Sequence, residues 1–150
     1  MIDKAQCLLY KEIPNMSKLG RYSADRKKVE NVTATKTVAV GDCGTLFTVV
    51  GDAAITLTLP AITDAGNGWW CKVLKTGAAS GGGAVNVTAS ADSATSMMGI
   101  HVGDNLAVSL AGSDLAIADA ANSGSQVELV CDGSNWHVLA HASGSVITVS

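Results

Sequence analysis

The chain has 150 residues, 47% of them hydrophobic and only 15% charged, with a net charge of −3 and a mean hydropathy of +0.29. That length suits one domain with an appendage. The hydropathy comes largely from Ala and Val, and no apolar run reaches the roughly 18 residues of a helix that crosses a membrane, so no membrane-spanning helix is expected in these residues.

Charge divides the chain in two. Eight of the ten basic residues (Lys4, Lys11, Lys18, Arg21, Arg26, Lys27, Lys28, Lys36) lie in residues 1–36 against four acids, Asp3, Glu12, Asp25 and Glu30. Residues 37–150 hold Lys72 and Lys75 against nine acids. Residues 1–36 contain Pro14 and Gly20 and no sustained period, which predicts an extended arm. Leu8, Leu9 and Tyr10 in it would cost free energy if left in water. With Arg21, Arg26, Lys27 and Lys28 they make a candidate docking arm for a protein partner with an acidic surface. Nucleic acid is disfavoured, because only Arg26-Lys27-Lys28 cluster and the acidic body would repel phosphate. Cys7-Leu8-Leu9-Tyr10 is too short for the apolar region of a signal peptide, so folding in a cytoplasm is expected.

From Thr37 onward apolar residues alternate with polar ones. Ile55, Leu57 and Leu59 are followed by Pro60, and Val85, Val87 and Ala89 repeat the pattern. Leu106, Val108 and Leu110 do the same, as do Val127, Leu129 and Cys131, then Trp136, Val138 and Ala140. Such runs, broken by Gly41-Asp42, Gly51-Asp52, Gly66-Asn67-Gly68, Gly103-Asp104 and Asp132–Asn135, predict half-buried strands joined by turns and little or no helix after residue 36. The pattern implies an all-β domain over 37–150, a sandwich or barrel, with an antiparallel β-sandwich as the expected form. A hairpin is expected over 126–142, and another between 69–75 and 85–89 across the glycine-rich segment 77–83. Trp69 and Trp70 are adjacent, so on a strand they point to opposite faces. One fills the core and the other is a candidate oligomer or ligand interface. Trp136 is expected in the core.

Catalytic chemistry is not expected. His137 and His141, downstream of Cys131, have H-x3-H spacing, but on a strand they sit about 13 Å apart at ~3.3 Å per residue, too far to share one ion. The glycine-rich segment lacks the Lys-Ser/Thr of a phosphate loop. The acids sit mostly in turns beside glycine. Cys7, Cys43, Cys71 and Cys131 have no CxxC spacing and read as reduced thiols. No metal or cofactor is called for.

Two stretches, TVAVGDCGTLFTVVGDAAITLTLP (37–60) and VELVCDGSNWHVLA (127–140), resemble the β-modules of tailed-bacteriophage virion surface proteins. The matching residues are Thr37, Val38, Asp42, Gly44 and Phe47, then Ile55–Pro60, then Val127, Leu129, Asp132, Gly133 and Trp136. The resemblance implies a jelly-roll-like or β-tulip-like sandwich that forms a homotrimer. The expected role is capsid decoration, or cement: bridging major capsid protein subunits on the outer surface of the virion after assembly in the bacterial cytoplasm. The alternative is a head-fibre or tail-fibre module that binds host-surface glycan.

Overall fold

The computed structural model describes residues 27–50, 53–76, 83–90, 97–103, 106–141 and 147–149, with 101–103, 106–111 and 147–149 as backbone. Twelve strands form in chain order: β1 (Lys28–Val32), β2 (Lys36–Thr37), β3 (Thr45–Val49), β4 (Ile55–Thr58), β5 (Trp70–Lys75) and β6 (Val85–Thr88). They continue as β7 (Met97–Gly103), β8 (Leu106–Gly112), β9 (Asp114–Ile117), β10 (Gln126–Cys131), β11 (Trp136–His141) and β12 (Ile147–Val149). A 3-10 turn at Val40–Asp42 and a four-residue helix, α1 (Ile62–Ala65), interrupt them. Helix α1 is the one short helix among the described residues, in keeping with the expectation of little or none: Pro60 ends β4's run, and Gly66, at φ 71°, closes the turn by donating its N–H to the Ile62 carbonyl at 2.9 Å.

The strands make a seven-stranded sheet, β1-β3-β5-β10-β11-β7-β8, and a five-stranded sheet, β12-β9-β6-β4-β2. Five of the described ladders are parallel, β1–β3, β3–β5, β2–β4, β4–β6 and β11–β7. The sheets are therefore of mixed direction, and the expected antiparallel sandwich, jelly-roll-like or β-tulip-like, is overturned. Alternation reveals which residues face the core but carries no information on strand direction. From β1 to β6 the chain alternates between the sheets, and each return lays a strand parallel to the one before: Lys28 lies beside Thr45, and Thr45 beside Cys71. Parallel neighbours need a crossover, and here the crossover is a strand of the opposite sheet. The hairpin expected across 77–83 is corrected for the same reason, since β5 and β6 belong to different sheets. The hairpin over 126–142 forms, pairing β10 with β11 antiparallel.

The inward faces build one core that includes Phe47, Leu57, Val73, Val87, Leu115, Leu129 and Trp136, each almost fully buried. Trp69 packs edge-on against Trp136, ring centroids 5.3 Å apart at 83°, and donates its indole N–H to the Val40 carbonyl at 2.8 Å. Lys75 also points inward. It is 1% exposed, and its ammonium donates to the carbonyls of Ala118 and Asp119 at 3.1 and 2.6 Å. Charge-assisted bonds of this kind satisfy carbonyls where the chain leaves β9.

Lys28 and Lys36 lie in β1 and β2, so residues 28–37 form the first winding of the body. Both pair with the buried Asp42, at 2.6 and 3.3 Å, and Lys36 also bonds Glu30. The Lys28 ammonium holds the Asp42 carboxyl below the ordinary carboxylate range against the opposing pull of burial; the Ala39 N–H and Lys36 assist. Because the folded pKa is lowered, this stabilisation is present above the unfolded value near 4 and is lost as pH falls below it. Asp42→Asn is expected to lower stability at neutral pH by about 1–2 kcal/mol. It should also flatten the loss of stability on acidification below about pH 4. Urea midpoints measured from pH 7 to pH 2 on both proteins check this.

Candidate interaction face

The two sheets present different faces to solvent. On the five-stranded sheet Thr37, Thr58, Thr88 and Asp114 stand in register across β2, β4, β6 and β9, and Thr56 lies beside Asn86. Hydroxyls, amide and carboxylate suit water. The seven-stranded sheet does not follow this rule.

Its outward side chains form rows across the strands. One row runs Val29, Leu46, Lys72, Glu128, Leu139, Ile100 across β1, β3, β5, β10, β11 and β7. The next runs Trp70, Val130, His137, Met98. Val29, Ile100 and Leu139 are 57%, 50% and 49% exposed, and Met98 and Val130 are exposed as well. Leu46, Lys72, Trp70 and Glu128 are half-buried by their neighbours. A third row, Asn31, Thr48, Leu74, Gln126, His141, returns to polar chemistry on one side. There the Thr48 hydroxyl donates to Asn31 Oδ1. Isolated exposed apolar residues are ordinary, but a contiguous apolar face of several strands marks a contact surface.

One end of the face is fixed by the β10–β11 turn. Asp132 accepts from the N–H groups of Ser134 and Asn135 at 2.8 and 2.7 Å and pairs with His137 Nε2 at 2.6 Å. The His137 bond, then the backbone donors, bring the Asp132 carboxyl down to about 2. His137 is thereby held beside Met98 and Val130 on the outward surface.

Trp69 and Trp70 do take opposite sides: Trp69 is buried in the core, and Trp70 lies half-buried on the outer face, its ring over Gly44. Lys27 is exposed beside β1. Lys28 is half-exposed and held by Asp42. Leu8, Leu9, Tyr10, Arg21 and Arg26 lie outside the described residues, as does Cys7. His137 and His141 share the outward side of β11 while Cys131 points inward, so the three do not converge. Among the described residues no group of three or more His, Cys, Asp and Glu is placed to hold a metal ion. Cys43 is exposed; Cys71 and Cys131 are buried, and burial pushes the Cys71 thiol pKa up.

Val29, Leu46, Val130, Leu139, Met98 and Ile100 are absent from the residues that sequence reasoning marks. A signal existed in two of the strands. Leu129-Val130-Cys131 and Val138-Leu139-Ala140 place an apolar residue on the phase that should be polar, and that break in alternation marks a strand with two dry faces.

No protein-family model, curated protein or solved structure matches the chain. The resemblance to phage virion surface proteins finds no support there, and the parallel ladders of β1 to β6 contradict the antiparallel jelly-roll-like or β-tulip-like sandwich that it implied.

Proposed function

We propose that this protein is a non-catalytic structural module that joins protein surfaces within a larger assembly through the outer face of its seven-stranded sheet. The observation that carries this reading is the exposed apolar cluster of Leu139 and Ile100 with Met98 and Val130 beside it, and exposed Val29 at the opposite end of the same row. A rigid two-sheet body supports the row from behind, so binding it costs little ordering. Bridging of capsid protein subunits, with the part of the basic segment that precedes β1 as a docking arm, is the form the role takes on the sequence expectation, and self-association, as a trimer or otherwise, belongs to it.

The test is co-sedimentation of the full chain with purified protein shells, comparing wild type with Ile100→Glu/Leu139→Glu. Both substitutions are at exposed sites, so far-UV circular dichroism should stay unchanged. Loss of shell binding or of self-association in the variant is the expected result. A variant that associates as the wild type does would remove the face from the function. Binding to a glycan array in place of protein would favour the sugar-binding alternative, to which the half-exposed Trp70 ring is suited.

A further inference from the structure

The order of residues in the central row has a symmetry of its own. Read across the strands it is apolar, apolar, cationic, anionic, apolar, apolar: Val29, Leu46, Lys72, Glu128, Leu139, Ile100. Lys72 and Glu128 are direct neighbours on β5 and β10, the third and fourth strands from the β1 edge, so the charges sit at the middle of this six-strand row. We infer that this face binds a second copy of the same chain, about a twofold axis that runs along the strands between β5 and β10. The inference rests on the role of the face given above and adds to it the identity and geometry of the occupant.

Such an axis reverses the row and leaves its height along the strands unchanged. Lys72 then meets the partner's Glu128, and Glu128 meets the partner's Lys72. Leu46 falls on the partner's Leu139, and Val29 on the partner's Ile100. In the adjoining row Trp70 falls on the partner's Val130. Along the central row each charge is answered by its opposite and each apolar side chain by another, as a self-complementary contact requires. A partner of different sequence would need to supply the same alternation; a second copy has it already.

Size agrees with this occupant. Such an axis overlaps six strands, β1, β3, β5, β10, β11 and β7; at ~4.8 Å between strands and ~3.3 Å per residue over about six residues, the shared face is about 24 by 20 Å, or roughly 480 Å² in plan. Side-chain relief brings this toward the roughly 800 Å² per partner of a standard interface. Stacked sheets also pack at about 10 Å with strands within ~30° of aligned, the orientation that an axis along the strands produces. The charges at the centre are only half-exposed before contact, so mispairing them is costly, and register follows from their exchange.

Charge reversal distinguishes this arrangement from any other. The full chain is expected to sediment as a dimer at tens of micromolar. Lys72→Glu alone, or Glu128→Lys alone, places like charges together twice per dimer and should weaken association at least tenfold. Mixing the two single variants should restore a dimer, because each reversed charge meets its opposite, and the double variant should restore it within one chain. A threefold ring of the two single variants cannot close without a like-charge contact, so a wild-type trimer overturns the inference. So does a wild-type dimer that neither reversal weakens, or a chain that stays monomeric at 100 µM. If that monomer still binds protein shells in a way that Ile100→Glu/Leu139→Glu abolishes, the structural role stands and only the twofold partner is lost.

Discussion

Replacing Gly99 with alanine is expected to destabilise the protein by about 3 kcal/mol or more, the upper end for a single added methyl group. A Cβ at that position would lie 1.8 Å from the Val138 carbonyl oxygen and 2.7 and 2.9 Å from its carbonyl carbon and Cα. These are backbone atoms of β11, so no rotamer change relieves the clash, and β7 must move away from the strand that holds it. The β7–β8 hairpin joins the sheet through β11. Its release would therefore carry Met98 and Ile100 off the outer face. The urea midpoint should fall, and limited proteolysis should cut between β7 and β8 before the rest of the chain opens. An unchanged midpoint with full protease resistance would mean that β7 does not pair with Val138.

Trp136→Ala should cost about 3–5 kcal/mol, the range for truncating a large buried aromatic. Trp136 is 0% exposed and provides the face against which Trp69 packs edge-on. Its indole N–H is buried without a hydrogen-bond partner, which already carries a desolvation penalty of about 1–3 kcal/mol. Trp136→Phe removes that penalty while leaving a smaller void, so the two effects oppose and the net change should stay under about 1.5 kcal/mol. Chemical denaturation of the two variants side by side makes the comparison. A phenylalanine variant as unstable as the alanine one would show that the N–H is satisfied in solution.

The elements themselves were legible in the chain, and their arrangement was not. The alternating runs at Ile55–Leu59, Val85–Ala89, Val127–Cys131 and Trp136–Ala140 coincide with β4, β6, β10 and β11, because a two-residue period is a local property. Trp136 and one of the paired tryptophans were placed in the core on the same basis. Direction fails for a physical reason. The tight turn at Asp132–Asn135 forces an antiparallel pair, but the links from β1 to β6 leave direction to the packing of the two sheets. The windings are also unequal. Thr45 to Cys71 is longer than Lys28 to Thr45, so no repeat appears in the sequence to betray them. Asp42 shows the same limit: beside Gly41 it looks like turn chemistry, yet it is the buried anion that ties Lys28 and Lys36 to the body. The interaction face was the least legible feature, since Val29 and Ile100 become neighbours of Leu46 and Leu139 only once register is set.

The winding of β1 to β6 also predicts an order in time. Hairpins close in microseconds because their strands are adjacent in the chain, and the described ladders between consecutive strands are β7–β8 and β10–β11. Each ladder in the first half waits for a detour through the opposite sheet, a loop-closure cost met before any pairing rewards it. Strand β5 is the first winding strand with a hairpin strand for a neighbour, lying against β10. Folding is then expected to run backward along the chain, from that seam to β3 and last to β1. On a ribosome the early strands emerge long before their template, with Phe47, Leu57 and Val73 uncovered in the interval. The sparse charge of the body offers them little protection there, so slow synthesis between residues 75 and 126 would favour aggregation over the native winding.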